Sequence, residues 1–171
     1  MRENFLEEIS HINPEKVVFL DEFGFDTHQK YSYAWGLRGK RVYADKHGGK
    51  GERVNTIACL NYQRKLFASF VFHGSCDKDV FDIYVKDILL PSLKAGTTVI
   101  MDNASFHKSS NVEGILLEKN CKVLYLPPYS PDLNPIEESW SPLKNDLKKR
   151  FLEAIKHPLE TVMEVVRSRS I

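Results

Sequence analysis

Residues 97–126 read TTVIMDNASFHKSSNVEGILLEKNCKVLYL, and their pattern decides the fold class. Thr97 to Met101 and Cys121 to Leu126 are short apolar runs, and Ser110 to Lys119 between them carries helical periodicity. Strand, helix and strand in that order form a βαβ unit, whose crossover pairs its strands in parallel. Upstream, Asp77 to Leu93 has a helical pattern, with Val80, Ile83, Tyr84, Val85, Ile88 and Leu89 as its apolar face. Two β-rich runs, Val54 to Leu60 and Leu66 to Phe72, flank Asn61-Tyr62-Gln63-Arg64-Lys65 and predict an antiparallel hairpin. A fifth run, Val17 to Leu20, follows Pro14, and ahead of it Phe5 to Ile12 is a short amphipathic segment with the look of a linker tail. Downstream, Pro135 to Phe151 predicts a closing helix. Its Ile136, Trp140, Leu143, Leu147 and Phe151 fall within a narrow arc at about 100° per residue, and that arc faces the core. The expected architecture is α/β: a mixed five-stranded sheet, an antiparallel hairpin plus parallel strands, flanked by helices.

The composition bounds the function classes. A chain of 171 residues fits one domain, and 42% hydrophobic with 27% charged residues is ordinary globular usage. Twenty-four basic against 23 acidic residues leave a net charge of +1, so any nucleic-acid surface must come from local clustering. Three cysteines, Cys59, Cys76 and Cys121, are scattered without CxxC spacing. They read as reduced thiols of a cytosolic protein, neither zinc ligands nor a disulfide frame. No apolar stretch approaches the roughly 18 residues of a membrane span, and Met1-Arg2-Glu3-Asn4 opens no secretory signal.

The chemistry sits at the ends of the strands. Val17 to Leu20 runs directly into Asp21 and Val99 to Met101 into Asp102, and Asn134 to Glu138 follow the run Val123 to Leu126. Carboxylates at the carboxyl ends of buried strands gather at one edge of a sheet, where open α/β folds place ligands. Three that converge make a divalent-metal site. On the closing helix Glu137 flanks the apolar arc, on the side of Lys144 and Lys148, whereas Glu138 points toward solvent, so Glu137 is the candidate third acid. Each acid also has a structural reading. An aspartate after a strand forms turns by bonding its own backbone. Asn134 suits an N-cap, Pro135 the first helical position, and Glu137 the far side of a capping box. The three together favour metal-dependent phosphoryl transfer, which needs acids from separate elements meeting at one point and no side-chain nucleophile.

These residues resemble a known family. Asp21 in Leu-Asp-Glu-Phe-Gly-Phe, Asp102 in Met-Asp-Asn-Ala-Ser-Phe-His and Glu137 in Tyr-Ser-Pro-Asp-Leu-Asn-Pro-Ile-Glu-Glu-Ser-Trp are similar to the three blocks of the DDE endonuclease domain of mariner-type insertion-sequence transposases. The 34 residues between Asp102 and Glu137 match the glutamate-ending branch, and the resemblance covers roughly residues 16 to 151. It implies a ribonuclease-H-like fold with two Mg2+ or Mn2+ ions held by Asp21, Asp102 and Glu137, Asp21 bridging both. It further implies that water cuts DNA at the ends of the element and that the freed 3′-hydroxyl attacks target DNA. Transposon ends and target are then the DNA partners, a homodimer on DNA is the working form, and a cytoplasmic, nucleoid-associated location follows for a bacterial host. The domain division on this reading is 1–15 residual linker, 16–155 catalytic domain and 156–171 C-terminal helical tail.

Secondary residues follow from the same pattern. Glu22, next to Asp21 on a strand, points to the opposite face and reads as a structural hydrogen-bonder. Asp132 reads as a backbone cap. His107, five residues after Asp102, is either a structural histidine or a contact to substrate phosphate, and Asn103 either a backbone partner or a group that orients a ligand. His28 to Arg53 carries seven basic residues against two acids with Tyr31, Tyr33, Trp35 and Tyr43 interleaved, a solvated loop or a DNA track. From it Arg38, Lys40, Arg41, Lys50 and Arg53 are the DNA-binding candidates, joined by His107 and, from the closing helix, Lys144 and Lys148. Gly48-Gly49-Lys50-Gly51 lacks the GxxxxGK[ST] pattern and reads as a hairpin tip.

Family members carry a helix-turn-helix region ahead of the catalytic domain. About 15 residues precede the first strand here, too few for such a module. The chain on its own is therefore expected to bind DNA weakly and without sequence preference. Two rival functions stay open: a ribonuclease-H-like nuclease or resolvase that only hydrolyses, and a domesticated, non-catalytic DNA-binding module.

Overall fold

Val17–Asp26 (β1), Arg53–Leu60 (β2), Leu66–His73 (β3), Thr98–Met101 (β4) and Lys122–Tyr125 (β5) hydrogen-bond into one sheet in the order β3-β2-β1-β4-β5. The structure is a computed structural model that describes residues 1–27, 36–41, 43, 52–104, 107 and 111–170. β2 pairs antiparallel with both β1 and β3, while β4 joins β1, and β5 joins β4, in parallel. The hairpin and the βαβ unit thus meet at β1, which is why the sheet is mixed. Asn61 Oδ1 closes the β2–β3 turn by accepting from the Lys65 N–H at 3.0 Å.

Among the described residues six helices cover this sheet: Arg2–Ser10 (α1), Lys78–Tyr84 (α2), Val112–Leu117 (α3), Ile136–Lys149 (α4), Phe151–Lys156 (α5) and Pro158–Arg167 (α6). Asp77 starts α2 by accepting from the Val80 N–H at 2.9 Å, and the chain continues helically through a π-helical turn, Val85–Leu89, to Ser92. The widened turn contains Asp87, whose carbonyl the Pro91 ring would meet in a regular α-helix. The buried face of this segment is led by Phe81, Tyr84, Val85 and Leu89, with Ile83 55% exposed. Ile83 does not belong to the apolar face, because it lies about 200° around the helix from Phe81.

Alternation along β1 divides the core. Val18 and Leu20 point toward Phe81, Tyr84 and Leu89 on one side of the sheet, with Val99, Met101 and Leu116. Phe23 and Phe25 point toward Ile136, Trp140, Leu143 and Leu147 of α4 and Val162, Val165 and Val166 of α6 on the other. Trp140 is 1% exposed and its ring stacks on Phe23 at 5.6 Å. Truncating such a side chain to alanine costs about 3–5 kcal/mol. The arc read from the sequence holds through Leu147, but α4 ends at Lys149 and Phe151 opens α5, half-buried against the same cluster. Phe5 of α1 packs with Val17, Ile100 and Leu126, so the N-terminal segment is docked on the sheet. The expected helix from Ser110 is described from Val112 onward.

Candidate active site

β1 and β4 bring two aspartates to the same level. Their parallel register runs Val17↔Thr98, Val18↔Val99, Phe19↔Ile100, and carried two residues further it sets Asp21 beside Asp102, just past the last residue of β4. Asp21 shares the face of Phe23, toward α4, and the first turn of α4 carries Glu137. Asp21, Asp102 and Glu137 accordingly line one cleft of about 450 Å³, whose wall includes Asn103, Tyr129 and Asn134.

The capping alternative for Glu137 is not what forms. α4 starts without a side-chain cap bond, its N-cap position is Pro135, and Asn134 accepts from the Glu137 N–H through its backbone carbonyl at 3.2 Å. The Asn134 side-chain Oδ1 is buried without a hydrogen-bond partner among the described residues. Glu137 is exposed at the cleft, while Glu138 is exposed and pairs with Arg64 at 2.8 Å.

The two aspartates differ sharply. Asp21 accepts from the Trp140 indole N–H at 2.9 Å, yet its carboxyl is pushed up to about 7. Burial is the main cause, and the nearby Glu137 charge adds to it against the opposing pull of the Trp140 bond. Asp102 is held below its ordinary value, chiefly by its hydrogen bond with His107 and further by the Ala104 N–H, which donates to Oδ1 at 2.9 Å. His107 is 1% exposed, with Nδ1 at 2.8 Å from Asp102 Oδ1 and Nε2 at 2.8 Å from Glu22 Oε1. Burial, the largest single effect on His107, lowers its pKa. The bonds to Asp102 and Glu22 together outweigh it and raise the imidazole to about 9. At neutral pH both ring nitrogens therefore donate.

The donor set suits a divalent cation. It is made of hard carboxylate oxygens, and Asp21 is raised chiefly by its burial, with the Glu137 charge adding to it. As they stand, no three His, Cys, Asp or Glu side chains among the described residues are gathered closely enough to hold an ion. The three acids line a common cleft without forming a closed cage.

The other expected site residues divide. His107 is closed off from solvent and contacts two acids, an environment that fits the structural reading of this residue. Arg53 lines a separate cavity with Glu22, Gly24 and Asn55 and is bonded to Asn55 Oδ1 at 3.3 Å, on the face of the sheet away from Asp21. Lys144 and Lys148 are exposed on α4, with Lys144 Nζ 5.4 Å from the centre of the Phe23 ring. Arg38, Lys40 and Arg41 are exposed, while Lys50, Tyr31, Tyr33 and Trp35 lie outside the described residues, as does the Gly48–Gly51 segment. Asn103 donates to the Leu126 carbonyl, its backbone-partner reading, and Asp132 pairs with Arg2. Sequence reasoning missed Trp140 as a donor to Asp21. Its position three residues after Glu137, on the arc that faces the sheet, was the available signal.

Comparison with known proteins shows the family and the fold. The family model described as DDE superfamily endonuclease matches residues 16–157. The insertion element IS630 uncharacterized 39 kDa protein of Shigella sonnei is 29% identical over 169 residues, 92% of this chain and 48% of that protein. The Tc3 transposase of Caenorhabditis elegans is 28% identical over 134 residues, 75% of this chain and 41% of that protein. The chain spans about half the length, or less, of these curated relatives. Among solved structures, the Mos1 strand transfer complex superposes with a TM-score of 0.63 at 15% identity, over 98% of this chain and 58% of that one. A chain of a simian T-cell lymphotropic virus intasome complex gives 0.57 at 14% identity, over 91% and 49%. Mos1 paired-end complexes with Mn and with Mg are also neighbours. The shared fold is the ribonuclease-H-like one. Among the described residues no helix is long and apolar enough to cross a membrane.

Proposed function

The chain belongs to the DDE endonuclease superfamily, and from that premise we propose that it is the catalytic domain of a mariner-type transposase. The reaction assigned to it has two displacements at phosphorus. Water attacks a phosphodiester at the transposon end, leaving a 3′-hydroxyl on the element and a 5′-phosphate on the flank. That hydroxyl then attacks a target phosphodiester, forming the new strand and releasing a target 3′-hydroxyl. What carries the reading is the single cleft lined by an acid from the end of β1, one from the end of β4 and one from the first turn of α4.

Asp21, Asp102 and Glu137 are the residues assigned to hold two divalent ions, Mg2+ or Mn2+. When bound there, such ions would activate the attacking oxygen and stabilise the leaving one. Trp140 holds Asp21 through Oδ2 while stacking on Phe23, which fixes that carboxylate against α4. Lys144 and Lys148, exposed on α4, are assigned to the DNA backbone, as are Arg38, Lys40 and Arg41. Residues 1–15 are assigned to a linker segment, 16–155 to the catalytic unit and 156–171 to a helical tail, docked through the buried Val162, Val165 and Val166. Reading of the terminal repeats is assigned to a helix-turn-helix module outside these residues, the paired-end reaction to a homodimer on DNA, and the setting to the cytoplasm, at the nucleoid if the host is bacterial.

A strand-transfer assay with an oligonucleotide precut at its 3′-end, a plasmid target and Mn2+ tests this function. Joined products that disappear with Asp102→Asn support it. Nicking without joining points instead to a nuclease or resolvase, and Mn2+ binding with neither product points to a non-catalytic module.

A further inference from the structure

We propose that Glu22 and His107 are positioning residues for Asp102, a relay across the end of the sheet that fixes which oxygen of Asp102 is offered to a cation. The inference rests on the reading of the cleft given above and deepens it. Glu22 and Asp21 are neighbours on β1 and point to opposite faces. Asp21 faces α4, and Glu22 faces the α2 side, where its Oε1 meets His107 Nε2 at 2.8 Å. The His107 ring, 4.4 Å from the centre of the Phe81 ring, carries the link back to Asp102, with Nδ1 at 2.8 Å from Oδ1.

The Ala104 N–H donates to Oδ1 of Asp102, and His107 Nδ1 forms an ion pair with that same oxygen at 2.8 Å while hydrogen-bonding the Asp102 backbone carbonyl at 3.3 Å. A carboxylate held through one oxygen by a hydrogen bond and an ion pair, beside a ring anchored to its own backbone carbonyl, is restrained from turning about its Cβ–Cγ bond. Oδ2, which has no partner among the described residues, is left as the oxygen for an incoming cation. One strand therefore supplies the first acid directly and, through the next residue, orients the second. Packing does not call for this arrangement. An apolar ring of the same size would fill the space against Phe81 without desolvating a histidine between two acids, and buried ion pairs are weak contributors to stability compared with such replacements. Groups that orient ligating carboxylates tune a metal site without touching the ion.

Two substitutions separate positioning from mere packing. His107→Asn keeps an amide N–H near the Nδ1 position and so the bond to Asp102, whereas His107→Gln keeps one near Nε2 and so only the bond to Glu22. The measurement is Mn2+ affinity of the full chain by calorimetry, beside a thermal melt of each variant. His107→Gln is expected to weaken Mn2+ binding about tenfold and His107→Asn by no more than about twofold. Glu22→Gln, which preserves shape and an acceptor, is expected to weaken it severalfold with the fold intact. Equal affinities for the Asn and Gln variants, or a Glu22→Gln protein that binds Mn2+ like the wild type, overturn the relay. If neither histidine variant folds, Glu22→Gln decides alone. Asp102→Asn separates the two levels of failure: wild-type binding no tighter than this variant overturns the reading of the cleft and the relay with it. Binding that needs Asp102 yet survives His107→Gln overturns the relay only.

Discussion

The end of β1 and the end of β4 deliver matching residues to one cleft, and they treat them in opposite ways. Asp21 is sunk between β1 and α4, where burial and the Glu137 charge push its carboxyl up to about 7. Asp102 is half in solvent and held down by His107, itself raised to about 9 between Asp102 and Glu22. One acid is buried beside a second carboxylate, and the other is paired with an imidazole. Two equivalent places on a parallel pair of strands thus acquire different chemistry from what packs over them.

The widest test of the comparison is catalytic. Asp21→Asn, Asp102→Asn and Glu137→Gln are each expected to lower DNA cleavage on the order of a thousandfold, since each removes charge from the proposed metal site, an effect of several kcal/mol. A variant that keeps more than a tenth of wild-type cleavage removes its residue from the set.

Stability without metal should then split the same aspartates by sign. Asp21 binds a proton more tightly folded than unfolded, so its ionisation costs stability as pH rises from its ordinary 3.8 through about 7. Asp21→Asn in chelator at pH 8 should therefore gain about 2–4 kcal/mol, or roughly 5–10 °C in Tm. Asp102→Asn should lower stability, because its depressed pKa marks a favourable charged pairing that is present above 3.8 and lost as pH falls, an effect damped by solvent at this half-exposed carboxylate. The His107 contribution is complete below its ordinary 6.5 and disappears as pH rises through about 9, which adds a second alkaline decline. Melts that move both variants in the same direction would break the comparison.

Trp140→Phe sharpens it on a smaller scale. The ring still stacks on Phe23 but the indole donor to Asp21 is gone, so cleavage should fall roughly tenfold to a hundredfold with Mn2+ affinity, as for other residues that orient a ligand. Unchanged Mn2+ affinity in this variant would leave Trp140 a purely structural residue. The smallest effect belongs to Glu138→Gln. Its pair with Arg64 is exposed on both sides, so cleavage should be unchanged and stability should move by less than about 0.5 kcal/mol. A dead Glu138→Gln beside an active Glu137→Gln would reverse the assignment on α4.

The five strands and their mixed pairing were legible because short β-branched runs between turn residues have few other ways to bury themselves. Ile136, Trp140, Leu143 and Leu147 were legible because an amphipathic arc repeats with the helix. Phe81 was missed in favour of Ile83 because an apolar pattern does not say which side of a helix meets the sheet. The end of α4 at Lys149 was missed because an apolar residue continues the arc across the break.

For the site, sequence alone determined which acids to compare, since strand-end position and the face of a helix follow from local periodicity. It also set Glu22 against Asp21, because neighbours on a strand point apart. Only the tertiary structure decided that Asn134 leaves its side chain uncapped, that Trp140 holds Asp21, and that His107 turns inward to join Glu22 with Asp102. The Glu22–His107 and Asp21–Trp140 bonds join residues 85 and 119 positions apart, and the burial they share depends on that approach. Desolvation and charge pairing act through space, so the different states of two identical side chains arise only once the chain has folded.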